Sequence, residues 1–249
     1  MVEIRILPLE PVLTITGKHR YLVITDVHLG FESNIISKDI HLGKESMARK
    51  SAHRILNLIK KSHSDSLVLL GDVKSGTKKI TDFEWRNVPQ FFDDLGDIET
   101  ILVPGNHDGN ISKLIPKNIT ISSQSGVVIE QVLLTHGHAM PSEKFGTVHN
   151  IVMGHVHPAY SKDDSILNGQ PVWVYLMAKR EKIFAFGKGN IGITIMPPFN
   201  EYLYYGGKRS YSKSTSPIVR RALDGLESAK IISMDGAILG DESDIDAVL

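Results

Sequence analysis

Cysteine is absent from the 249 residues, so neither a disulfide framework nor a thiolate metal site can form. Any metal held by side chains must use His, Asp, Glu or Asn. An excess of charge is lacking too. The 28 Lys and Arg balance the 28 Asp and Glu, so bulk charge does not mark the whole molecule as a binder of polyanions, although a local basic surface is compatible with it. No long apolar run exists. The opening residues, MVEIRILPLE, carry no apolar signal core, and no later run nears the length that spans a bilayer. The expectation is a soluble cytoplasmic protein with no membrane partner.

What is present suffices for a folded core. Hydrophobic residues make up 41% of the chain, and the length fits one large domain, or a domain with an appendage. Apolar runs at 4–7, 12–16, 21–25, 67–70 and 98–103 read as strands. Between them, residues 44–62 carry apolar positions at Met47, Ala48, Ile55, Leu56 and Ile59, the spacing of an amphipathic helix. Residues 81–95 read as a second helix, with Thr81 as N-cap and Glu84 completing a capping box; Pro89 is expected to kink or interrupt it. From 118 onward short strands dominate, including 132–135, 151–153 and several over 171–196. Strands alternating with helices in the first half predict a parallel sheet covered by helices, and the strand-rich second half predicts a second sheet packed against it. Residues 1–210 are expected to form the main domain. Residues 211–249, basic early and acidic late, are expected to form a partly mobile C-terminal appendage.

Eleven histidines are unusual for this length, and six of them fall in motifs with a common plan. An apolar strand ends, and metal-type ligands follow. Asp26-Val27-His28 follows YLVIT, and Gly71-Asp72 follows LVLL. Gly105-Asn106-His107-Asp108 follows ILVP. His136-Gly137-His138 follows VLLT, and Gly154-His155-Val156-His157 follows IVM. The carboxyl ends of strands are where open α/β sheets build ligand sites. Asp-x-His or Gly-Asp alone is a weak signal, and the bland reading of Gly-Asn-His-Asp is an Asn-capped turn. Five such ends in one chain are hard to assign to five separate turns.

In this order the motifs resemble those of the calcineurin-like metallophosphoesterase superfamily, over residues 20–160. The resemblance implies a four-layer α/β/β/α sandwich with two mixed sheets between helices. The chain also resembles a narrower branch, the Icc-like or DNA-ligase-associated metallophosphoesterases, through Asp26-Val27-His28-Leu29-Gly30, His155-Val156-His157-Pro158-Ala159, Pro198-Phe199-Asn200 and Gly206-Gly207. Ser75 departs from that branch, where a histidine is common; this touches only an outer contact.

The resemblance implies one cation on Asp26, His28, Asp72 and His157, and a second on Asp72, Asn106, His136 and His155. A bridging Asp72 would hold them about 3.5–4 Å apart. Nitrogen and oxygen donors without sulfur suit manganese, with iron or zinc as alternatives, better than calcium or magnesium. A water shared by two cations becomes hydroxide near neutral pH and can attack phosphorus in line. His107 resembles the family's residue for protonating the leaving oxygen. Asp108 is expected to orient His107, to cap a helix over 109–115, or both. His138 is either an outer-shell group or a substrate contact.

The leading expectation is hydrolysis of a phosphodiester in nucleic acid or a nucleotide, the branch being linked with DNA ligases and helicases as partners. The stretch 202–221 interleaves Tyr202, Tyr204, Tyr205 and Tyr211 with Lys208, Arg209, Lys213, Arg220 and Arg221. Aromatics stack on bases while cations meet phosphates; the plainer reading is a solvated loop with its tyrosines on the core. Two alternatives stand beside the leading one. They are a phosphomonoesterase or small-molecule phosphodiesterase, and a metal-binding scaffold without catalysis. The oligomeric state is left open by the residues; dimers are common among related nucleases.

Overall fold

The computed structural model describes residues 2–31, 46–77, 79–162, 164–204 and 216–249. Among them, one mixed sheet runs β1 (Glu3–Ile6), β2 (Leu13–Thr16), β3 (Arg20–Ile24), β4 (Ser66–Leu70), β5 (Thr100–Val103) and β6 (Thr120–Ile121) in sequence order. The first three strands pair antiparallel and the last four parallel. The second mixed sheet contains β7 (Val127–Ile129), β8 (Val132–Thr135), β9 (Asn150–Met153), β10 (Val172–Lys179), β11 (Asn190–Ile195), β12 (Leu226–Ser233) and β13 (Ile238–Asp241). Its spatial order is β13-β12-β10-β11-β9-β8-β7. The crossover places β9 between β8 and β11, parallel to both.

Side-chain alternation sorts each central strand between two cores. In β4, Val68 and Leu70 meet β8 and β9 residues Leu134 and Val152 in the core between the sheets. Leu67 and Leu69 face the other way, onto α1 (Met47–Ser62) and α2 (Asp82–Leu95). In the second sheet Val152 points inward, while Ile151 and Met153 pack outward with α3 (Pro217–Leu223). The result is the expected α/β/β/α layering.

Both long helices start at side-chain caps. Ser46 accepts from the Arg49 N–H at the start of α1. Thr81 and Glu84 form the capping box of α2. The expected interruption at Pro89 does not occur: α2 runs unbroken through it. The carbonyl that loses its partner is that of Trp85, a residue about half exposed to water.

The expected appendage is corrected for the described part of 211–249. β12 pairs with β10 from Val172 to Ala178, and β13 pairs with β12. Ala229, Ile231 and Val248 are buried in the outer core of the second sheet. The segment reads as tail-like by its early basic and late acidic composition, and Glu227, Ser228 and Lys230 of β12 are indeed exposed. No described helix is long and apolar enough to cross a membrane.

Candidate metal centre

All five ligand-bearing strand ends meet at one edge of the sandwich. β3, β4 and β5 bring Asp26, His28, Asp72 and the Asn106–Asp108 turn. β8 and β9 bring His136, His138, His155 and His157. Sharp reversals follow the strands, and they put five of these residues in left-handed backbone: Asp26 (φ 55°), His28 (46°), Asp72 (50°), His155 (70°) and His157 (49°). Non-glycine residues adopt this region at a cost of about 1–3 kcal/mol each, and they cluster at functional sites. Glycine is required where the turns touch. A Cβ at Gly105 would overlap the Asp72 carboxylate, and one at Gly154 would overlap the Thr25 hydroxyl.

Asp26 and His136 are fully buried, and His28 and Asp72 almost so. Asp26 Oδ1 lies 3.1 Å from Nε2 of His136 and 3.1 Å from Nε2 of His157. Its Oδ2 accepts the backbone N–H of His155 at 3.0 Å. Asp72 Oδ2 lies 3.7 Å from His28 Nε2, 3.5 Å from His136 Nε2 and 3.8 Å from His107 Nε2. Three overlapping triads could each hold a cation: Asp26, His28 and His157; His28, Asp72 and His107; and Asp72, His136 and His155.

Burial opposes ionisation of Asp26, yet His157 and His136 outweigh it and hold the carboxyl well below its ordinary range. Burial, reinforced by repulsion from Asp26 and Asp108, pushes Asp72 up to about 6. Burial also drives His28 well below its usual value, His155 down to about 3 and His138 to about 4, helped in each case by neighbouring imidazoles. His136 goes the other way. Burial is outweighed there by its hydrogen bond to Asp26 and by the surrounding carboxylates.

The donor set fits a divalent cation. The buried Nε2 atoms of His28 and His157 make no hydrogen bond, although that of His157 lies 3.1 Å from Asp26 Oδ1. Imidazole nitrogens and buried carboxylates converging on one point are what a cation requires.

Two expected roles change. Asp108 does not turn to the His107 ring. Its carboxylate accepts from the backbone N–H groups of Val73 (2.9 Å), Lys74 (3.3 Å) and Gly105 (2.9 Å), tying the Asp72 turn to the Asn106 turn. Nor does it cap a helix over 109–115, where a 3-10 turn at Ile111–Lys113 follows Asn110. The His107 ring instead donates from Nδ1 to the Ser75 carbonyl. His138 Nδ1 lies 3.1 Å from His136 Nδ1, so it touches a ligand-type residue directly. Asn106 is exposed at the tip of its turn.

Sequence reasoning overlooked Thr25. Its buried hydroxyl lies 2.7 Å from Asp26 Oδ2 and 2.8 Å from the Leu70 carbonyl. A hydroxyl closing the apolar run YLVIT, directly before an acid, was the available signal. Asn200 entered only through the resemblance; its amide donates to the Val27 carbonyl at 3.0 Å and so braces the Asp26 turn. Of the tyrosine-rich basic stretch, residues 205–215 lie outside the described residues, while Arg220 and Arg221 are exposed on α3.

The structure of a nuclease, MPE of Pseudomonas putida, is similar at a TM-score of 0.57 and 18% identity, covering 94% of this chain and 98% of that one. Yfce, a phosphoesterase from E. coli, aligns at a TM-score of 0.41 and 18% identity over 90% of this chain and 98% of its own. No curated protein matches. The calcineurin-like phosphoesterase family model matches residues 19–187, a span that holds every ligand-type residue of the cluster, and the chain belongs to that family.

Proposed function

We propose that this chain is a phosphodiesterase acting on nucleic acid or a nucleotide, with two divalent cations, manganese first, in the cluster. One observation carries the reading. Asp72 Oδ2 faces His28 of one triad and His136 of another, so a single carboxylate joins two cation-sized groups of donors. Asp26, His28, Asp72 and His157 would hold one ion; Asp72, Asn106, His136 and His155 would hold the other. When bound, the pair supplies a water of lowered pKa and offsets charge on the phosphate oxygens.

The remaining chemistry belongs to the chain. Nδ1–H of His107 is committed to a carbonyl, which can only accept. Nε2 is therefore the nitrogen left for the substrate, and the ring is partly open to solvent. His107 can hold the proton that the leaving oxygen needs. Asp108 and Asn200 keep the turns in register, and Thr25 and the His155 N–H fix Asp26.

The test is hydrolysis of bis-p-nitrophenyl phosphate against p-nitrophenyl phosphate, with manganese and then with EDTA. Diester cleavage abolished by EDTA is expected, and single- and double-stranded DNA and RNA follow as substrates. Monoester cleavage alone would overturn the diesterase reading. Two bound ions without turnover on any of these would favour a scaffold.

A further inference from the structure

Glu84 is nearly fully buried, and capping α2 uses only half of its carboxylate. Oε2 accepts from the Thr81 N–H at 2.8 Å and the Thr81 hydroxyl at 3.1 Å. Oε1 leaves the helix and accepts the Gly76 N–H at 2.6 Å. That N–H and the Ser75 carbonyl belong to one peptide group, and the Ser75 carbonyl accepts the Nδ1 proton of His107. Glu84 and His107 therefore grip opposite edges of a single planar unit.

We propose that Glu84 is a positioning residue for His107, acting through the peptide that joins Ser75 to Gly76. The peptide is rigid, so anchoring its N–H fixes the direction of its carbonyl. An anionic acceptor also polarises the amide and strengthens the carbonyl as an acceptor in turn. The proton stays on Nδ1, and Nε2 stays turned toward Asp72 Oδ2, 3.8 Å away.

Neighbouring contacts hold the same segment. Lys74, itself buried, donates Nζ to the Gly76 carbonyl. The Ser75 N–H donates to the Leu29 carbonyl at 3.0 Å. A Cβ at Gly76 would stand 3.0 Å from Glu84 Oε1, so the carboxylate reaches the backbone only because no side chain intervenes. The device uses the backbone of residue 75, which is why a serine serves there.

The proposal rests on His107 as the proton donor to the leaving oxygen, and the experiment separates the two ideas. Manganese-loaded wild type, Glu84→Gln, His107→Ala and the double variant are compared on bis-p-nitrophenyl phosphate and on diphenyl phosphate, whose leaving group needs the proton far more. Glu84→Gln is expected to lower kcat about 10- to 100-fold on diphenyl phosphate with KM little changed, and much less on the nitrophenyl ester. In the His107→Ala background it should cost no more than about twofold. Thr81→Ala, which weakens the cap but spares the Gly76 bond, should lower Tm without changing the ratio of the two rates.

A second reading comes from the metal-free protein. Nitrogen NMR should find the His107 ring proton on Nδ1 in wild type and divided between the nitrogens in Glu84→Gln. Equal losses on both esters, full additivity with His107→Ala, or an unchanged tautomer would overturn the role of Glu84. If His107→Ala itself slows both esters equally, the assignment of His107 falls instead, and the role of Glu84 with it. Should Glu84→Gln fail to fold, Glu84→Asp carries the same test, since it keeps the charge but shortens the reach.

Discussion

Asp72 Oδ1 accepts the backbone N–H of His107 at 2.8 Å, so one oxygen of the central carboxylate anchors the turn that carries His107. Only Oδ2 remains to face the imidazoles. Asp72 is the carboxylate that would serve both proposed cations, and its Oδ2 is the oxygen near His28 and His136. This residue thus links the candidate metal centre to the turn that places His107.

Asp72 is expected to cost the metal-free fold stability. Burial raises its pKa to about 6, so the folded state keeps a proton that the unfolded chain has lost. Stability therefore falls as pH rises between the unfolded value and about 6, by about 3 kcal/mol in total. Asp72→Asn should bind no second ion, yet in EDTA at pH 8 its Tm should equal or exceed wild type. Calorimetry checks this, and a Tm lower by more than about 5 °C would contradict it.

Metal affinity should fall in acid. His136 keeps its proton to higher pH than an ordinary histidine, and Asp72 to about 6; both protons must leave before a cation binds. His155 and His138, at about 3 and 4, are already neutral and do not compete. Manganese titration should show affinity dropping as pH falls through about 6, with proton release visible in buffers of different ionisation enthalpy. Equal affinity at pH 5.5 and 7.5 would contradict the assignment.

His107→Ala should bind both ions and lose turnover by about 100- to 10,000-fold. Elemental analysis and kcat measured together decide it. Undiminished kcat on a poor leaving group removes His107 from the reaction.

Thr25→Val deletes the hydroxyl between Asp26 and the Leu70 carbonyl. Metal affinity is expected to drop about 10- to 100-fold, and stability by about 1–3 kcal/mol. Titration calorimetry and chemical denaturation give the two numbers, and unchanged metal affinity would leave Thr25 a purely structural role.

Truncation before β12 should abolish soluble expression. It would uncover the edge of β10 and the outer core that Ala229 and Ile231 complete. A truncated chain with wild-type Tm would restore the appendage reading.

Much of this was legible in the sequence because it is local. The continuously apolar, buried LVLL and IVM strands, the Thr81–Glu84 capping box and the ligand types after each strand follow from neighbouring residues. The missing cysteines restricted the donors to nitrogen and oxygen. Partnership across the sandwich was not legible. Asp26 meets His136 across 110 positions and the His155 N–H across 129, and only the packing of the two sheets through Leu70, Leu134 and Val152 decides that these strand ends face one another. The same holds for Glu84, whose capping pattern is written in four consecutive residues. Its second oxygen acquires a partner only when the Asp72 turn folds over the start of α2, because a hydrogen bond between distant segments depends on where the whole chain puts them.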